Sequence, residues 1–221
     1  AGKTAPPSGD RVRFSKGKYV LPDGGEGETF RGIILDFIST NNFWGTKYDP
    51  KNISPPVCFA LGPKPKELVP SENSFDKQAD SCAVCPMNEF GSDGAGKACK
   101  NARLFALIPI MDLEEGEKAP LWLFAVPPTG IKYFDKLVTD LTLAKLAPMQ
   151  AIVEFSLDNS TEYFSPRFTR VGITDDVTLA STFERLAEAQ ARLNTEPDTS
   201  SLRVEAPKPA ARKAPAKRGA R

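Results

Sequence analysis

The four cysteines of this chain all fall between positions 58 and 99, in the order Cys58, Cys82, Cys85 and Cys99. The stretch 62–101 that carries three of them has little apolar periodicity, so something other than hydrophobic burial must order it. A C-x2-C knuckle puts two thiols on one tight turn. Two further cysteines complete a tetrahedral four-sulfur shell of the kind that holds structural zinc and leaves no open position for water. The neighbours fit that reading. Pro86 stiffens the knuckle, Gly91, Gly94 and Gly96 let the chain turn back to Cys99, and Lys97, Lys100 and Arg103 offset a negatively charged centre. The expected cofactor is therefore Zn2+ on Cys58, Cys82, Cys85 and Cys99. Metal binding would supply the order that the sparse insertion lacks. Two disulfides, or an iron–sulfur cluster or redox thiol pair, are the alternatives, the first disfavoured in a reducing compartment.

The chain contains no histidine. Ser/His/Asp triads, Cys/His dyads and histidine-bound metals are thereby excluded, and only carboxylate, Lys, Tyr, Ser/Thr or Cys chemistry remains. Gly91 to Ala98 matches the P-loop pattern up to its last position, where Ala98 replaces the Ser or Thr needed for Mg2+. A cysteine knuckle precedes it and Cys99 follows, so the glycines are assigned to the cysteine loop. An enzyme using Asp36, Asp49 and Asp135 with Mg2+ finds no support in their spacing. The expectation is a protein that is not an enzyme.

Of 221 residues, 40% are apolar and 26% charged, the balance of a soluble globular chain. The longest apolar run, Leu104 to Met111, contains Pro109 and is far short of the roughly 18 residues that span a bilayer. The first residues lack an apolar signal core, so a cytoplasmic location without membrane contact is expected. The formal net charge of +1 conceals an asymmetry. Residues 207–221 hold six Lys or Arg and no acid, leaving 23 basic against 28 acidic groups elsewhere, a net of −5. Pro and Ala between those cations deny the tail an apolar face, so 196–221 is expected to be a disordered basic tail, either an electrostatic tether to nucleic acid or a solubilising extension.

Residues 1–10 read as a flexible arm. Alternating apolar positions predict strand or hairpin material at 11–21 and a strand at 29–39. Short strands are expected at 57–61, 102–108 and 121–126. Apolar residues at 131, 134, 138 and 141 predict an amphipathic helix over 131–146, with Thr129 as its cap. A hairpin, 151–157 with 162–173, follows, and then a helix over 177–193 with Leu179, Phe183, Leu186 and Leu193 on one face. The chain is thus divided into an arm, a core domain over 11–173 with the cysteine insertion 58–101, a C-terminal helix over 174–195, and the tail. A mainly β chain with two helices, one between the third and fourth strands of a small antiparallel barrel, has the OB-fold layout. A generic α+β sheet with helices on one side is the alternative.

Binding single strands without reading sequence needs aromatic faces for bases and cations for phosphates. Phe43, Trp44 and Tyr48 sit in a polar loop with Lys47 and Lys51. Tyr163 precedes Arg167 and Arg170 on the last strand, and Lys132 opens the middle helix beside Tyr133. Phe164 and Phe168 are assigned to the core.

The run Cys82 to Ser92, followed by Gly96-Lys97-Ala98-Cys99-Lys100, resembles a motif of phage-type proteins. The layout over roughly 11–173 resembles phage single-stranded-DNA-binding proteins that insert a zinc loop into an OB-fold. That resemblance implies non-catalytic single-stranded-DNA binding in phage-type replication or recombination, replication or recombination proteins as partners, and the bacterial host cytoplasm as the location. Here the ligand set has no histidine and the tail is basic where many such proteins end in an acidic one. A zinc-stabilised interaction protein, such as a virion component or polymerase accessory factor, is the second reading.

Overall fold

The computed structural model describes residues 10–46, 54–110, 119–160 and 163–204. Lys47, Tyr48, Asp49 and Lys51, the first nine residues and the basic tail 205–221 lie outside the described residues.

The expected alternation at the N-terminus forms a β-hairpin: β1 (Arg11–Ser15) turns back into β2 (Lys18–Val20) through Lys16 and Gly17, both with positive φ. Positive φ at both central residues gives a two-residue turn whose twist matches the strands, and Gly17 meets that demand without a Cβ penalty. A two-residue strand, β3 (Glu26–Gly27), adds to the hairpin. The long strand β4 (Thr29–Phe43) comes next, then β5 (Cys58–Gly62), β6 (Lys100–Pro109) and β7 (Trp122–Val126). Helix α1 (Pro128–Leu143) leads to the hairpin of β8 (Ala151–Leu157) and β9 (Pro166–Ile173). Three short helices close the described chain: α2 (Asp176–Glu184), α3 (Leu186–Leu193) and α4 (Ser200–Val204).

The strands form one curled sheet in the order β3-β2-β1-β7-β6-β4-β8-β9. β4 is the spine. Gly32 to Asn42 pair with β6, while its other edge is taken first by β8 and then by β5. The structure is mainly β and barrel-like, but the sheet is mixed: β1 runs parallel to β7, with Arg11 beside Leu123 and Val12 beside Phe124. The end strands β3 and β9 are not hydrogen-bonded to each other, which makes a half-barrel. The N-terminal hairpin leans across the gap. The Tyr19 hydroxyl donates to the Ser156 carbonyl at 3.0 Å, and Phe14 packs against Phe164.

Both faces of the central strands are covered, which is why β6 reads as a continuous apolar run rather than an alternation. The concave face holds Tyr19, Phe30, Phe105, Phe124 and Phe155, and α1 lays Phe134, Leu137 and Leu141 onto them. The rings meet mostly edge to face, the arrangement that their quadrupoles favour. On the convex face Leu104, Ala106, Leu121 and Leu123 pack under Ala189 and Leu193 of α3.

Three expectations shift. First, α1 starts at Pro128, where a missing N–H costs nothing, and Thr129 donates to the Phe164 carbonyl at 2.6 Å instead of capping. Second, the helix expected over 177–193 is broken at Arg185, whose guanidinium donates to the Ala119 carbonyl at 2.8 Å and pairs with Glu188. Asp175 caps α2 by accepting from the Thr178 N–H at 2.7 Å, but Phe183 is exposed, not on a buried face. Third, residues 196–204 are part of the fold rather than the tail. Glu196 accepts from the Ser71 hydroxyl and the Asn73 amide, both at 2.6 Å, and the Thr199 hydroxyl donates to the Asn73 carbonyl. Among the described residues no helix is long and apolar enough to cross a membrane.

Candidate functional site

The insertion brings its four cysteines in from three directions. Cys58 opens β5 opposite Phe43, Cys99 directly precedes β6, and Cys82 and Cys85 lie on the knuckle between them. The loop is stitched by backbone bonds. Cys82 N–H donates to Leu68 O at 3.0 Å, Asn88 N–H to Cys85 O at 2.9 Å, and Cys99 N–H to Met87 O at 2.7 Å. An asparagine relay ties it to the sheet. The Asn101 amide donates to Asn41 at 2.6 Å and to Asn88 at 2.9 Å, and Asn88 donates to the Cys82 carbonyl at 2.8 Å. The glycine turn closes on itself through Gly91 N–H to Gly96 O, and the Lys97 ammonium sits 5.0 Å from the Phe90 ring centre. No strand precedes this turn and no helix follows it, unlike a phosphate-binding loop.

All four sulfurs are buried and unbridged. Burial pushes the Cys99 thiol up to about 12, and charge on Cys82, Cys85 or Cys58 adds to the rise. Cys82 is also raised, by burial first and by Cys58 and Cys85, while its hydrogen bond with Asn41 pulls the other way. The four thiols are therefore within electrostatic reach of one another, and the Lys97 charge partly offsets the burial of Cys99. Such a donor set matches the chemistry of a soft divalent cation. It is not a finished shell: among the described residues no three His, Cys, Asp or Glu are disposed to hold one ion.

The aromatic and basic residues separate into two places. At one end of β4, Phe43 is half-buried beside Cys58, and Trp44 is 39% exposed, with its indole N–H donated to the Ser54 carbonyl at 3.2 Å. At the other end lie Tyr163, Arg167, Arg170 and Lys132. Through β8, Arg167 and Arg170 register with Thr29 and Gly32, so along β4 they lie roughly 36–46 Å from Phe43 at about 3.3 Å per residue.

The second group is built into two adjoining clefts. A groove of about 510 Å3 runs between α1 and β9 and is lined by Tyr133, Lys136, Arg167, Phe168 and Arg170. Its polar wall holds Lys136, Arg167 and Arg170 with Asp140. Arg167 is fully engaged: it stacks on Tyr133, forms an ion pair with Asp158, and donates to the Ser165 hydroxyl at 2.6 Å. Bonds from the Ser160 hydroxyl and backbone, then the Arg167 charge, hold the Asp158 carboxyl below its usual range. Lys132 lies 4.7 Å from the centre of the same tyrosine ring. Arg170 is exposed and has no acid partner among the described residues. Beyond Asp158 and Ser165 a second cleft, about 270 Å3, opens between the β8–β9 connection and the N-terminal hairpin, with Tyr163 62% exposed at its rim.

Asp36 and Asp135 do not converge. The first accepts from Gln190 of α3 on the convex side, while the second faces Arg103 from α1 on the concave side. Sequence reasoning missed the cations of the hairpin itself, Arg11, Arg13, Lys16 and Lys18. The signal was present in the alternation Arg11-Val12-Arg13-Phe14, whose polar half faces solvent as its apolar half faces the core.

Compared with protein-family models, curated proteins and solved structures, the chain matches none.

Proposed function

We propose that this protein binds single-stranded nucleic acid without chemistry, on the side of the half-barrel formed by α1, β9 and the β8–β9 connection. The observation that carries this reading is the run of aromatic and cationic side chains from Arg170 through Arg167 and Tyr133 to Tyr163. Sequence-tolerant strand binding requires aromatic faces beside cations; exposed Tyr163 and exposed Arg170 offer them here, while Arg167, paired with Asp158 and stacked on Tyr133, holds the wall between them. The order of elements supports an OB-like reading of the core: three main strands β4, β6 and β7, then α1, then β8 returning to pair with β4 and β9 with β8. On that reading β1 takes the place beside β7 where the last strand of a closed barrel would lie. The β8–β9 connection then corresponds to one of the loops with which OB-folds grip oligonucleotides. Because α3 seals the convex face of β6 and β7 with leucines, binding is assigned to the opposite side. The resemblance to phage single-stranded-DNA-binding proteins supports DNA as the strand and replication or recombination as the setting.

In the same proposal Cys58, Cys82, Cys85 and Cys99 hold one structural zinc ion that fixes the insertion and takes no part in strand binding. The four buried thiols, with no disulfide between them, are the support for it.

The test is a titration of the full chain with fluorescent oligo-dT and with a duplex of equal length at two salt concentrations. Tighter binding of the single strand, weakening as salt rises, is the expected result. No binding at low salt overturns the reading. A second reading, docking of a protein, has its own support in Val84 and Phe90, which are 71% and 81% exposed on the insertion. Retention of a partner lost on Phe90→Ser, without strand binding, would select it.

A further inference from the structure

We infer that the outer face of the β1–β2 hairpin is a phosphodiester-binding surface, which feeds a strand into the cleft beside Tyr163. This rests on the strand-binding reading above and assigns a second part of the contact to residues outside the α1–β9 groove.

The hairpin sorts its side chains cleanly. Val12 and Tyr19 are buried, whereas Arg11, Arg13, Ser15, Lys16 and Lys18 are exposed. Arg11 and Arg13, two apart, share a face, and Lys18 lies on that face opposite Ser15 in the antiparallel register. Lys16 occupies the turn. Four cations thus project from one hairpin of the sheet, with Arg11 and Arg13 about 7 Å apart along the strand.

These cations differ from most others in the molecule. Arg31, Arg103, Arg167, Arg185 and Arg192 each have an acid partner, as do Lys64, Lys77, Lys100 and Lys136. Among the described residues none of Arg11, Arg13, Lys16 and Lys18 forms an ion pair. The nearby acids do not neutralise them. Asp10 is taken by Arg192, Asp23 accepts from the Gly25 N–H, and Glu26 and Glu28 on and beside β3 pair with none of the four. Glu26 shares the face, in register two strands across from Arg13, so the face keeps a positive balance with no ion pair among its four cations, the arrangement that a polyanion complements.

The face also leads somewhere. Lys16 lines the cleft that Phe14, Asn159, Tyr163 and Phe164 share. A backbone lying along Arg11, Arg13 and Lys18 would bring a base to that cleft, where the Tyr163 ring offers a stacking surface and Asn159 an amide. A duplex keeps its bases stacked inside and cannot use the cleft, so the arrangement favours an unpaired strand.

The experiment compares the full chain with the double variant Arg13→Gln/Lys18→Gln, both on the solvent side of the hairpin, using fluorescent oligo-dT over 50 to 200 mM salt. Two lost phosphate contacts should lower the slope of log K against log salt by roughly 1.4 and weaken binding at low salt by about tenfold. The pair Lys64→Gln/Lys77→Gln, away from the hairpin, serves as the charge control and should leave both unchanged, and thermal melting confirms that each variant is folded. An unchanged slope in a folded hairpin variant, while the unmodified chain still binds, overturns this inference alone. An equal loss in the control pair also overturns it, since it would show only a general charge effect. Absence of strand binding by the unmodified chain overturns the inference together with the function it rests on.

Discussion

The guanidinium of Arg167 lies 3.4 Å from the centre of the Tyr133 ring, joining β9 to α1 across the mouth of the groove. The same side chain pairs with Asp158 and bonds Ser165, so one residue fixes the helix, the strand and the β8–β9 connection together. Arg167 therefore positions the groove's aromatic wall more than it offers a phosphate a free cation. Arg167→Lys keeps the charge but loses the planar stack and the forked donors. It should lower stability by about 1 kcal/mol in urea unfolding, the scale of a partly buried cation–π contact, with a smaller effect on strand binding than Arg170→Gln.

Tyr163 stands at the rim of the hairpin cleft, where its ring can meet a base. Tyr163→Ala should cost on the order of 1–3 kcal/mol of oligo-dT affinity by fluorescence titration, the usual worth of one stacked base. Trp44→Ala should matter only for strands long enough to reach the far end of β4. Equal loss for both variants with a short oligonucleotide would contradict the two-site geometry.

Close approach of α1 to β9 depends on Gly130. A Cβ there would lie 2.4 Å from Pro166 Cγ and 2.8 Å from Val126 Cγ1, in the packed concave core. Gly130→Ala should destabilise the fold by about 1–3 kcal/mol through overpacking. Circular dichroism during urea titration will show this as a lower midpoint with an unchanged slope.

Glu196 ties the segment after α3 to the insertion. Bonds from the Ser71 hydroxyl and then the Asn73 amide hold its carboxyl below the usual range. A depressed carboxyl contributes stability above its unfolded value, and that contribution is lost as pH falls through the lower folded value. Protection factors at residues 71–76, corrected for the intrinsic pH dependence of exchange, should therefore fall as the carboxyl is protonated on acidification, and Glu196→Gln should remove that fall while β6 stays protected.

Removal of metal tests the thiol cluster. Elemental analysis of the purified chain should find one zinc per molecule. Chelation should then loosen 58–101 and leave the concave core folded, visible as lost exchange protection in the insertion alone. Protein free of zinc with a protected insertion would contradict the proposal.

Much of the fold was legible because its elements announce themselves locally. Apolar positions 131, 134, 138 and 141 gave α1, and alternation gave the two hairpins. What was hidden depends on partners distant in sequence. Arg185 breaks the last helix because Ala119, 66 residues away, offers it a carbonyl. β1 joins β7 in parallel, a pairing between segments more than a hundred residues apart. At the site, Tyr163, Arg170 and Lys132 were visible as aromatics and cations in polar surroundings, and the structure gathers them at one end. It leaves Trp44 at the other, a separation set by the register of β9 on β8 and of β8 on β4. The cations of β1 and β2 escaped notice because a strand pattern draws attention to the half that is buried.

β4 imposes an order of assembly. It is synthesised before the strands that satisfy its edges, β5, β6 and β8, the last of them more than a hundred residues downstream. Until then Ile33, Ile34, Leu35 and Ile38 have nothing to pair with, and non-local pairing of this kind is slow and prone to mis-association. Nascent chains stalled before residue 151 should be clients of chaperones, whereas the released protein should not.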